Sequence, residues 1–167
     1  MICHVRPSLF LVSGLAATVG AVSGAAFAHN VKGLDATQCP VTKPNGRVPT
    51  VYGFPAHNAG VNHGNGRLYV GLPDDGTVSA TQSDFAADGA VDAKFGWWRV
   101  VGGTLHIAAT RLDGPSSPAR PHIPSAYGKQ GFQSSSVAFP TAGCWRVTGT
   151  VDHRASLTFV TLAVVEP

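Results

Sequence analysis

The sequence predicts an all-β protein: a β-sandwich of about seven strands preceded by an irregular N-terminal arm. Three observations carry that expectation. Gly and Pro number 20 and 12 in 167 residues, while Glu occurs only at Glu166, so long helices are disfavoured. Short β-branched and aromatic runs recur, separated by turn-forming pairs such as Asp88-Gly89 and Gly102-Gly103. The clearest run alternates: Trp145, Val147 and Val151 fall on one side, and Cys144, Arg146, Thr148 and Thr150 on the other. That is the period of a strand with one buried face. An apolar fraction of 44% with a formal charge of only +3 argues against a disordered chain. The length fits one domain with an arm and excludes a large multidomain enzyme.

Residues 1–28 read as a secretory signal peptide. Arg6 supplies a positive start, residues 9–22 are apolar and uncharged, and Ala26-Phe27-Ala28 is a small-residue cleavage pattern. An uncleaved anchor is the competing reading, but Ser13, Gly14, Thr18, Gly20 and Ser23 dilute the stretch. After cleavage no stable membrane span is expected, and the protein is placed in the periplasm or outside the cell. Losing Arg6 lowers the formal charge to +2, one below the +3 of the whole chain. The basic residues are scattered singly, whereas nucleic-acid binding needs a concentrated basic face, so no nucleic-acid partner is expected. With Cys3 removed, Cys39 and Cys144 remain, and an even count in an exported protein favours a disulfide between them.

Residues 29–65 carry Gly, Pro, Asn and Thr without a helical period and read as the arm, tied down mainly through Cys39. The strand domain is placed at residues 66–167. Residues 67–72 form its first strand, Pro73-Asp74-Asp75-Gly76 is a turn, and residues 77–81 are expected to return as its hairpin partner. One helical turn is a candidate at residues 83–87, with Ser83 or Asp84 as N-cap. Residues 94–101 make the next strand, with Phe95, Trp97 and Val101 on one face and Lys94, Trp98 and Val100 on the other. In residues 104–112, Leu105, Ile107 and Ala109 face the core and His106 faces away. Pro115, Pro118, Pro121 and Pro124 stiffen the loop 113–131, which is expected to cross between sheets and add an edge strand near residues 120–123. Residues 132–139, 144–151 and 155–165 complete the set. The last of these is apolar on both faces, as suits a central strand or one beneath the arm. Since Cys144 falls on an outer face, a bond to Cys39 would clamp the arm across that face.

The run Phe139-Pro-Thr-Ala-Gly-Cys-Trp-Arg-Val-Thr-Gly-Thr-Val151 resembles the penultimate strand of immunoglobulin-like domains, where an aromatic shortly follows a Gly at the strand start. Trp145 stands where many such domains place a corner tyrosine, and it has no hydroxyl. More broadly, Cys39-Pro-Val-Thr-Lys-Pro-Asn-Gly46, His63-Gly-Asn-Gly-Arg-Leu68, Lys94-Phe-Gly-Trp-Trp-Arg99 and Gly131-Phe-Gln133 resemble a group of uncharacterised bacterial exported proteins. The resemblance spans most of the mature chain. It implies bacterial export and an immunoglobulin-like β-sandwich, and it carries no catalytic assignment.

The available chemistry points away from catalysis. With a single Glu, a glycosidase-type carboxylate pair would need Asp alone, and Asp74 and Asp75 are turn residues. No G-x-S-x-G elbow occurs, and Ser116, Ser117 and Ser134 to Ser136 carry no local triad signal with His106 or His122. The run Gly60-Val-Asn-His-Gly-Asn-Gly-Arg67 lacks the Lys and hydroxyl of a phosphate loop and precedes a strand. No cofactor is expected. Metal remains the alternative: His57 and His63 share one loop, and His29 at a free N-terminus could chelate copper or nickel. The leading expectation is a non-catalytic binding or structural module that presents Trp98 and Tyr127 to an envelope component, a polysaccharide or a protein. An Asp- or Ser-based hydrolase is third.

Overall fold

A computed structural model describes residues 38–49, 60–80 and 89–165. The signal segment, His29, His57, the candidate helical turn and Glu166 lie outside the described residues. Nine strands are present among them: β1 (Asn62–Gly64), β2 (Leu68–Gly71), β3 (Thr77–Ala80), β4 (Val91–Arg99), β5 (Leu105–Arg111), β6 (Arg120–His122), β7 (Gly131–Phe139), β8 (Gly143–Val151) and β9 (Ala155–Val165). They form a β-sandwich of a five-stranded sheet, ordered β1-β2-β4-β7-β6, and a four-stranded sheet, ordered β3-β9-β8-β5.

Alternation explains the layers. Phe95 and Trp97 of β4, Val137 and Phe139 of β7, Trp145 and Val147 of β8 and Phe159 of β9 all point inward and are at most 2% exposed. Phe159 sits 5.2 Å from Phe95 and 6.0 Å from Trp97, and Phe139 sits 5.2 Å from Trp145, so aromatic rings from opposite sheets interlock across the centre. Gly149 of β8 provides the space for Trp97, because a Cβ there would collide with the indole. The indole Nε1 donates to Ser135 Oγ at 3.0 Å, so its polar end is satisfied inside the core.

The expected hairpin between residues 67–72 and 77–81 does not form. The turn is real, since Gly76 adopts φ +72° and its N–H donates to Pro73 O at 2.9 Å. It switches sheets instead of doubling back. β3 leaves β2 and pairs in parallel with β9, Thr77 opposite Leu162 and Ala80 opposite Val165. Val78 and Ala80, each buried, gain cover there as inward-facing residues of the second sheet. The segment expected as an irregular arm contributes β1, and the strand expected from residue 94 starts at Val91. The short edge strand in the proline-bearing loop is β6, paired with β7.

Cys39 and Cys144 are bonded, with Cα atoms 5.5 Å apart. Cys144 belongs to the outward set of β8 with the exposed Arg146, yet it is wholly buried, because the arm covers it. From Cys39 the arm runs to Thr42, whose N–H donates to Val160 O and whose Oγ1 accepts from Val160 N–H, at 2.8 and 2.9 Å. It then reaches the five-stranded sheet, where Asn45 Nδ2 donates to Gly64 O and Asn45 Oδ1 accepts from Gly64 N–H. The arm thus ties one sheet to the other. β9 is central, between β3 and β8, and its second apolar face (Val160, Leu162, Val164) is half-buried. No helix among the described residues is long and apolar enough to cross a membrane.

Candidate binding face

The outward face of the five-stranded sheet carries a row of aromatic side chains. β4 and β7 pair with Trp98 opposite Phe132, and β2 places Tyr69 opposite Trp98 on the other side. Their neighbours in sequence (Leu68, Val70, Trp97, Gln133) are buried, so period-two alternation turns these three outward. Tyr127, from the β6–β7 loop, continues the row, its ring 5.8 Å from Phe132 and edge-on to it. Phe132 is 49% exposed and Tyr127 37%, whereas Trp98 is half-buried and Tyr69 buried. The row is therefore open at the Phe132–Tyr127 end.

Two glycines let the rings lie flat along the sheet. A Cβ on Gly96 would come within 3.1 Å of the Phe132 ring, and one on Gly64 would collide with the Tyr69 ring. An aromatic resting on a strand glycine covers backbone that would otherwise be solvated, and its own rotation is restricted in return.

The loop bearing Tyr127 is held by buried polar side chains. Arg99 Nη1 donates to Gly103 O at 2.8 Å, and Nη2 donates to Gly128 O. Gln133 Nε2 donates to Pro124 O at 3.0 Å. Gly103 N–H donates to Lys129 O at 2.9 Å. Between this loop and the turn after β4 lies a cleft of about 350 Å³, with Arg99, Leu105, Ile123, Tyr127, Lys129 and Gln133 among its walls. Tyr127 belongs to both features, touching Phe132 on the sheet face and lining the cleft.

No protein-family model and no curated protein matches the chain. Of the two aromatics expected to present a surface, Trp98 and Tyr127, both lie on the same row, and Phe132 joins them. Phe132 was legible from parity, since residues 132, 134 and 136 alternate against the inward 133, 135 and 137. Arg99 was legible in the same way, as a charged residue on the core parity of Phe95 and Trp97.

The other candidates disperse. His63 lies on β1, half-buried. Burial pushes its pKa below the ordinary histidine value, a hydrogen bond from the imidazole to the Lys43 backbone opposes this, and the Arg47 charge adds to the lowering. His29 and His57 are outside the described residues, and no group of three His, Cys, Asp or Glu side chains among the described residues is placed to hold a metal. Ser116 and Ser117 line a cleft of about 360 Å³ beside Arg111 and Trp145, with no histidine among its described walls. Ser135 is buried under Trp97. His106 and Asp152 approach to 3.8 Å with side chains 64% and 45% exposed, outside the clefts described above. Asp75 Oδ1 accepts from Thr77 N–H at 2.9 Å, which is turn chemistry. The disulfide points to an oxidising compartment outside the cytoplasm.

Proposed function

We propose that the protein is an exported, non-catalytic binding module whose outward aromatic row recognises a polysaccharide of the cell envelope. One observation carries this reading: Trp98, Phe132 and Tyr127 form a continuous row, open at its Phe132 end. Flat aromatic faces on a rigid sheet suit the apolar C–H faces of sugar rings, and Phe132 and Tyr127 are the exposed rings of the row. The glycines beneath the rings support a preorganised surface, which reduces the ordering cost of binding. Export is supported by the leader at residues 1–28 together with the disulfide.

The test is isothermal titration of neutral glycan fragments (cello-oligosaccharides, chito-oligosaccharides and soluble peptidoglycan fragments) against the wild type, Phe132→Ala and Tyr127→Ala. Saturable binding of one class is expected, weakened about tenfold by Phe132→Ala. Absence of binding across the panel, or binding untouched in both variants, would remove the polysaccharide reading.

A further inference from the structure

Arg99 plays no part in the aromatic row, yet its setting is the most unusual electrostatic feature of the fold. It occupies the core-facing parity of β4 and is 2% exposed. A guanidinium in the interior ordinarily comes with a carboxylate, since an uncompensated buried charge is strongly unfavourable. The ion pairs among the described residues are His106–Asp152 and Arg111–Asp113, and neither includes Arg99. Its acceptors are two neutral carbonyls, Gly103 O and Gly128 O, and its Nε is buried with no hydrogen-bond partner. Guanidinium carries five N–H donors, so most remain uncommitted. Burial lowers the Arg99 pKa from its ordinary value, but a guanidinium remains charged at neutral pH.

The residue borders the cleft of about 350 Å³, which is within the range that holds small organic molecules. The walls divide by chemistry. Arg99 and Lys129 are cationic, while Leu105, Ile123 and the Tyr127 ring are apolar. Asp152, near the Thr104 side, is engaged with Thr104 N–H and His106. We propose that this cleft binds a small carboxylate with a flat or apolar body. The carboxylate lies against Arg99 and Lys129, and the body lies against Leu105, Ile123 and Tyr127. The site shares Tyr127 with the sheet face but does not depend on a polysaccharide being bound there. A planar guanidinium matches a carboxylate in a two-point geometry, and a low-dielectric wall strengthens the pairing.

Benzoate and its neutral isostere benzamide test the proposal on the oxidised wild-type protein, followed by ¹H–¹⁵N NMR. The Arg99 Nε–H signal and the amides of Tyr127, Gly128 and Lys129 are the reporters. Benzoate is expected to shift them saturably and to bind about tenfold or more tightly than benzamide. Arg99→Lys is expected to weaken benzoate at least tenfold, with amide shifts outside the cleft unchanged. Equal affinity for the two probes, or no movement of the Arg99 signal with benzoate, overturns the proposal, and both outcomes come from the wild type alone. A response to inorganic phosphate but not to benzoate also overturns it, by placing a different oxyanion at the site.

Discussion

The Trp97 indole lies over Gly149, one residue from each sheet. A Cβ at position 149 would meet the six-membered ring of the indole, so the absence of a side chain on β8 sets how closely β4 approaches it. Gly149→Ala is expected to cost about 1–3 kcal/mol through overpacking. Gly60→Ala, where nothing lies within 4 Å, is the control and should leave the urea midpoint nearly unchanged. Similar midpoints for both variants would show that the core repacks freely around the indole.

Removing the disulfide should loosen the arm and lower global stability together. Cys39 and Cys144 are 105 residues apart, so the bond restricts a long loop of the unfolded chain. The Cys39→Ser/Cys144→Ser double variant is expected to lose about 2–5 kcal/mol in denaturant unfolding. A loss below about 1 kcal/mol would mean that the backbone pairing of Thr42 and the contacts of Asn45 hold the arm without it.

Asp113 should contribute to stability at neutral pH and fail on acidification. Its Oδ1 accepts from Arg111 Nε at 2.6 Å and its Oδ2 from Cys144 N–H at 2.9 Å. Burial pushes the carboxyl pKa up, but the Arg111 side chain and the Cys144 N–H outweigh it, and the net shift is downward. A carboxylate with a lowered folded pKa stabilises above the unfolded value near 4, and that contribution disappears as pH falls through the folded value. Asp113→Asn is expected to cost about 1.5–3 kcal/mol at pH 7 and to flatten the acid limb of the stability curve. Parallel curves for variant and wild type below pH 5 would contradict this.

His63 has the same sign for a different reason, since here burial disfavours the charged form. Its folded pKa is lowered, so the unfolded chain takes up the proton first. Stability is then full above the unfolded value near 6.5 and declines as pH falls from there towards the folded value. His63→Gln should remove that decline between about pH 6.5 and 5 while keeping a polar group on β1. Thermal melts of both proteins across this interval measure it, and identical slopes would rule out His63 as the source.

The sandwich was readable because inward and outward residues alternate cleanly in β4, β7, β8 and β9, and that parity depends on nothing but the strand itself. Parity likewise placed Cys144 outside its sheet and Trp98 opposite the core. Pairing was less readable. Thr77-Val-Ser-Ala80 has the alternation of any short strand, and whether it returns to β2 or crosses to β9 depends on which open edge is nearby in space. The aromatic face was half readable. Trp98 and Tyr127 stood out as large aromatics, but their convergence on Phe132 requires the β4–β7 register, which a single chain does not display. That no carboxylate among the described residues pairs with Arg99 is likewise a fact of three dimensions, since only the fold decides which of them reach it.

β9 follows both of its neighbours in the chain, yet it lies between them. Until it arrives, β3 has no partner in its sheet and β8 is covered on one side only by β5. The four-stranded sheet is therefore assembled by insertion, like a keystone set after the flanking blocks. A chain still emerging from a narrow exit would hold two unsatisfied strand edges apart until its closing segment was free. β8 and β9 form a local hairpin, whereas β3 joins the layer only through Thr77–Ala80 against Leu162–Val165, so short losses from the β9 end should release β3 first.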